Sequence, residues 1–110
     1  MAARKGKPSR RPAKVSNVLE RVHKHVEDGT YLDTRHASER KAEREITLLE
    51  VLHILRRGFH EKKKDEYKPE HEDWNYAIRG KTVDGRSLRV AVAFSAPGML
   101  VITAIDLDVK

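Results

Sequence analysis

Two turn signals in the last third of the chain constrain its fold more than any other feature. Asp84-Gly85 follows "WNYAIRGKTV", and Ala96-Pro97-Gly98 follows "LRVAVAF". An Asp-Gly pair between alternating segments marks a hairpin, because both residues tolerate the left-handed dihedrals of its tight turn. The first segment alternates Trp74, Tyr76 and Ile78 with Asn75, Ala77 and Arg79. The second puts Leu88, Val90, Val92 and Phe94 on one face. The third, "MLVITAI", is apolar on both faces, which fits a central strand. Upstream, "FHEKKKDEYKPEHED" is polar and contains Pro69. It predicts a short edge strand near residues 59–63 and then a loop.

The N-terminal half has a helical period. Val15, Val18, Leu19, Val22 and Val26 form one stripe over residues 15–28, with Asn17 and Glu20 spaced as a capping box and Gly29 placed to end the helix. Residues 47–57 carry a second capping box, Thr47 with Glu50. Leu48, Leu49, Val51, Leu52, Ile54 and Leu55 give a broad apolar face, and Arg56, Arg57 and Gly58 close it. Between them "TRHASERKAEREI", residues 34–46, favours a helix that Thr34 could cap, yet offers only Ala37 and Ala42 before Ile46 to bury. The predicted class is α+β: two to three N-terminal helices followed by an antiparallel sheet of three to four strands, helices on one face.

Charge divides the chain. Of 23 basic residues, Arg4, Lys5, Lys7, Arg10, Arg11 and Lys14 fall in the first 14 positions, which hold no acid. The other 17 are matched by 17 acidic residues, so the net charge of +6 belongs to the leader. Residues 1–14 therefore read as a disordered basic tail that could grip a phosphate backbone, or simply solubilise, and residues 15–110 as a single α+β domain. There is no cysteine, so disulfides and thiolate metal sites are excluded. The apolar runs are far shorter than the ~20 residues of a membrane span, and none follows the basic leader as a secretory signal requires. The expectation is a cytoplasmic protein with no membrane partner.

His36, Arg40 and Arg44 lie at helical spacings of four and share one face. An imidazole can move a proton near neutral pH, and guanidiniums can hold a phosphate and offset its transition-state charge. As a plain solvated helix, the same stretch would be stitched by Arg35–Glu39 and Lys41–Glu45 pairs, worth about a few tenths of a kcal/mol each. Lys62, Lys63 and Lys64 would meet a phosphate if they lay on a strand, though Glu61, Asp65 and Glu66 flank them. Trp74 and Tyr76 share a strand face, as core or as a stacking platform, and Arg79 points the other way. His23-x-His25 diverges on a helix, and His53, His60 and His71 have no ligand spacing. No metal site and no cofactor are expected. There is no GxSxG, and Asp106 with Asp108 alone is too little for a two-metal nuclease.

The order "T-R-HA-S-E-R…E-R-E-I…EVL-H-I-L-R-R-G", then "Y-A-I-R-G-K-T-V-D-G…L-R-V-A-V-A-F…V-I-T", resembles a bacterial domain family of unknown function with a T-x-HA-x-x-R motif. Residues 15–105 also resemble MqsR-type toxins, which share the barnase/RelE-like fold of metal-independent endoribonucleases. The resemblance implies cleavage of single-stranded mRNA through its own 2′-OH, free or ribosome-associated, and inhibition by a cognate antitoxin. It implies a catalytic set of His36, Arg40, Arg44, Lys63 and Tyr76. His36 would be general base or acid, Arg40 with Arg44 or Lys63 would stabilise the phosphorane, and Tyr76 would position phosphate or stack on a base. RNA contacts would come from Arg4, Lys5, Lys7, Arg10, Arg11, Lys14, Lys62 and Arg79. One departure shifts weight to the His/Arg stretch: the last strand ends "AIDLDVK", with Asp106 and Asp108 where the toxins carry a catalytic lysine. Two other classes fit the same residues: a non-catalytic nucleic-acid or ribosome-binding module using the tail, and a protein-interaction domain such as an antitoxin, immunity factor or adaptor.

Overall fold

A computed structural model describes residues 11–34 and 44–108. Helix α1 spans Val18–Asp28 and buries Val18, Val22 and Val26. The expected Asn17 capping box does not form. Asn17 makes no side-chain cap bond, and its Oδ1 instead accepts from Arg21 Nε at 3.1 Å. Gly29 ends the helix as expected, with φ 73° and its carbonyls capped by the next two amides.

Strand β1 (Tyr31–Asp33) follows, then helix α2 (Leu48–Arg57). The Thr47 box is complete: Glu50 N donates to Thr47 Oγ1 at 3.1 Å, and Thr47 N donates to Glu50 Oε1 at 2.9 Å. Val51, Leu52, Ile54 and Leu55 are buried, while Leu48 and Leu49 stay at the surface because they open the helix on its outer side. The predicted helix over residues 34–46 falls mostly outside the described residues. At its end, Glu45 takes a positive φ of 56° and Ile46 enters the core.

The sheet has six strands, not three or four. After α2 come β2 (Phe59–His60), a 3₁₀ turn at Lys62–Lys64, β3 (Glu66–Lys68), β4 (Asp73–Lys81), β5 (Ser87–Ser95) and β6 (Gly98–Asp106). The order is β1-β6-β5-β4-β2, with β3 extending the β4 edge. β6 is central as expected. β1, however, lies between the helices in sequence and runs parallel to β6, so the sheet is mixed and the helices are not all N-terminal to it. Gly98 makes this approach possible: a Cβ there would lie 2.4 Å from the Thr30 carbonyl oxygen, and its φ is 153°. The predicted edge strand at 59–63 ends at His60, and the predicted loop contains β3. Both differences arise where β4 satisfies its edge with pieces of irregular chain.

Both helices pack on one sheet face. Tyr76, Ile78, Leu88, Val90, Val92, Met99, Val101 and Ala104 share a core cluster with the buried helix residues. A register shift between Ala91 and Val92 inserts Ile102 as an extra residue in β6, which keeps Val101 and Ala104 on the same face. Arg86 fastens the end of the sheet to α2 through Glu50 and to Asp106 at 3.2 Å.

Candidate functional site

The second sheet face carries no described helix in its core cluster, and it mixes small, charged and apolar side chains. Cross-strand register sets them in two rows. Thr103, Ala91 and Ala77 form one. Ile105, Arg89, Arg79 and Phe59 form the other. Arg79 and Arg89 are therefore directly opposed, an arrangement that repels unless something offsets it.

Glu61 is that group. Arg89 Nε donates to its Oε1 at 2.8 Å and Arg79 Nη1 to its Oε2 at 3.2 Å. The Glu61 side chain is 16% exposed, and those of Arg89 and Arg79 are 20% and 41%. The Arg89 hydrogen bond holds the Glu61 carboxyl below its ordinary value. Partial burial opposes this, and Arg79 reinforces it. The trio carries one net positive charge, and each guanidinium spends one of its five N–H groups on Glu61. The remaining donors suit the planar, bidentate recognition of a phosphate.

Ala77 positions Glu61. The Glu61 amide donates to Ala77 O at 2.8 Å, and the Ala77 amide donates to Asp65 Oδ1 at 2.9 Å. Residues 61–65 thus stand in for a strand on the β4 edge. The Asp65 side chain is fully buried and also meets His60 Nε2 at 2.8 Å and Lys14 Nζ at 3.0 Å. With these partners, His60 and Asp65 fasten the edge on the helical side of the sheet.

Several expected site residues lie elsewhere. Tyr76 is 2% exposed, its ring packs on Phe94 and His60, and its hydroxyl accepts from Val15 N at 3.0 Å. It faces the helices, so it neither stacks on a base nor meets the guanidiniums. Lys62 and Lys63 lie on the exposed 3₁₀ turn and on no strand, because the chain leaves the sheet at Glu61. Trp74 donates from Nε1 to Pro12 O at 2.8 Å, and Arg11 and Lys14 lie over its ring at 5.7 and 4.7 Å. These two tail cations are engaged with the domain through cation–π contacts and Asp65. Arg4, Lys5, Lys7 and Arg10 lie outside the described residues, as do His36 and Arg40.

Arg44 is described, and it reaches β6 beyond the end of β1. Its Nη1 donates to Ala104 O at 2.6 Å and lies 3.5 Å from Thr103 Oγ1. Thr34 N donates to Val101 O at 3.2 Å. The residues flanking 35–43 are therefore both tied to β6. Arg44 stands at one end of the Thr103–Ala91–Ala77 row and Glu61 beyond the other, the row itself spanning about 10 Å by strand spacing.

Sequence reasoning missed Glu61 and Arg89. Arg89 had a signal: a hairpin centred on Asp84 places residues 79 and 89 in register. Glu61 had none, because irregular backbone puts it in place. Asp106 and Asp108 are strand-end partners of Arg86 and the Ser87 amide. Among the described residues, no three His, Cys, Asp or Glu side chains converge to hold a metal, and no helix is long and apolar enough to cross a membrane.

A family model described as a domain of unknown function matches residues 34–106, the greater part of the chain. No curated protein and no solved structure matches it.

Proposed function

We propose a function for this chain, which belongs to the DUF4258 family of unknown function: a metal-independent endoribonuclease toxin that binds single-stranded mRNA on the sheet face opposite its described helices. The supporting observation is the pair Arg79 and Arg89, opposed on that face with Glu61 between them. In the proposed step the arginines hold the scissile phosphate. The 2′-oxygen bonds to phosphorus and the bond to the 5′-oxygen breaks. Glu61 takes the 2′-hydroxyl proton, and His36, from the T-x-HA-x-x-R motif, returns a proton to the leaving oxygen. The products are a 2′,3′-cyclic phosphate and a 5′-hydroxyl. Arg44 supports RNA binding from the rim at Thr103. The likeness to MqsR-type toxins adds a cognate antitoxin as partner.

One observation favours a binding module instead. A carboxyl held below its ordinary value is a weak base. The same surface without proton transfer would bind RNA and leave it intact.

Inducible expression tests the toxin role. Wild type should arrest growth and deplete mRNA, and the folded Arg79→Ala, Arg89→Ala double variant should do neither. Normal growth with the wild type fully expressed would reject it.

A further inference from the structure

We infer that Phe59 is a nucleobase-stacking subsite beside the phosphate-binding arginines. The ligand of this face is then a single strand with an unpaired base next to the held phosphate. The inference rests on the proposed nucleic-acid site and adds what that site selects.

Phe59 is 54% exposed. It is the only aromatic among the strongly exposed large apolar side chains of the described residues, the others being Leu32, Leu48, Leu49 and Val83. The remaining rings near β4 are engaged. Tyr76 is core, Tyr67 and Trp74 pack edge to face beneath Arg11, and Phe94 stacks on His25 and packs tilted on Tyr76.

Register places Phe59 opposite Arg79 on β4. Directly opposed residues lie on the same face with Cβ atoms about 5 Å apart. Alternation sends the next residue, His60, to the opposite face, where it meets Asp65 and Tyr76. Phe59 therefore stands on the face opposite the described helices and ends the row Ile105–Arg89–Arg79–Phe59. Its backbone is held close, since a Cβ on the preceding Gly58 would lie 2.5 Å from Arg79 O. A ring in register with Arg79, and one strand further from Arg89, suits a nucleotide, whose base hangs next to its phosphate. Every base has a π-face, so the subsite is tolerant of sequence but excludes bases already stacked in a duplex.

The test is binding of short fluorescent oligodeoxynucleotides, which lack the 2′-hydroxyl and cannot be cut by this route. Three probes of equal length are compared: a single strand, an abasic strand and a duplex. Wild type should prefer the base-bearing strand over the abasic one by about tenfold. Phe59→Ala should erase that preference, and Phe59→Trp should keep it. Arg79→Ala should weaken both single strands alike. Equal affinity of wild type for base-bearing and abasic strands would overturn the inference, as would a preference surviving Phe59→Ala. So would a Phe59→Ala variant that loses both strands alike, or one that binds strands normally but fails to bind a protein partner, which assigns the ring to that contact. No binding of any strand would remove both this subsite and the nuclease proposal. A base preference in a protein that never cuts RNA would leave the subsite and remove the nuclease alone.

Discussion

Arg79 and Arg89 stand directly opposite each other on β4 and β5, and one carboxylate, Glu61, is hydrogen-bonded to both. Like charges in register repel, so Glu61 stabilises the hairpin while competing with any anion the arginines could bind. Glu61→Gln should therefore lower stability by about 1 kcal/mol in urea unfolding, a modest figure because the cluster is partly solvated. The same variant should bind an oligodeoxynucleotide more tightly. Unchanged stability together with unchanged binding would show that the trio is not coupled.

The acid limb of stability should carry the same signature. Glu61 is held below its ordinary value of 4.5 by Arg89 and then Arg79. Glu50 is held below the same value, first by the Thr47 amide and then by Arg86. A carboxyl lowered in the folded state adds stability that is present above its unfolded pKa and is lost as pH falls through its folded one. Unfolding free energy should be level above about pH 5 on this account and should fall below it. Glu61→Gln should flatten part of that fall. An acid limb identical to wild type would refute the assignment.

Tyr76 links the strap at residues 11–15 to the core through its hydroxyl. Tyr76→Phe keeps the ring packing and removes the acceptor for Val15 N. The expected cost is about 1 kcal/mol. Trypsin should cut after Lys14 faster in the variant than in wild type, and equal cleavage rates would show that the strap is held without this bond.

Gly58 and Gly29 should respond differently to alanine. At Gly58 a Cβ would lie 2.5 Å from Arg79 O and 2.6 Å from Ile54 O, both backbone atoms, so β2 must move off β4. Gly58→Ala should cost about 2–3 kcal/mol. Gly29 faces open space at φ 73°, so alanine there meets only the left-handed strain of about 1 kcal/mol. Similar costs at the two sites would contradict this packing.

The long elements were legible because each has a period and a stop. The Thr47–Glu50 box, Gly29 and the turns at Asp84-Gly85 and Ala96-Pro97-Gly98 all lie where local chemistry put them. β1 was not legible, since three residues hold no period and their pairing with β6 depends on the distant Gly98. Asn17 failed as a cap because Arg21 competes for its side chain. On the site, alternation placed Arg79 correctly away from Tyr76. Glu61 and Asp65 act from irregular backbone between β2 and β3, where no pattern in the sequence aims a side chain. Alternation left Tyr76 as core or stacking platform and only the resemblance gave it a catalytic role; in the structure it is buried in the core.

The most direct test is to incubate the purified protein with end-labelled single-stranded RNA in excess EDTA and identify the product ends. Cleavage leaving 2′,3′-cyclic phosphates is expected for wild type, with a loss of about a hundredfold or more in the Arg79→Ala, Arg89→Ala double variant. RNA that stays intact with wild-type protein, or cleavage that the double variant retains in full, would contradict the proposed arginine site.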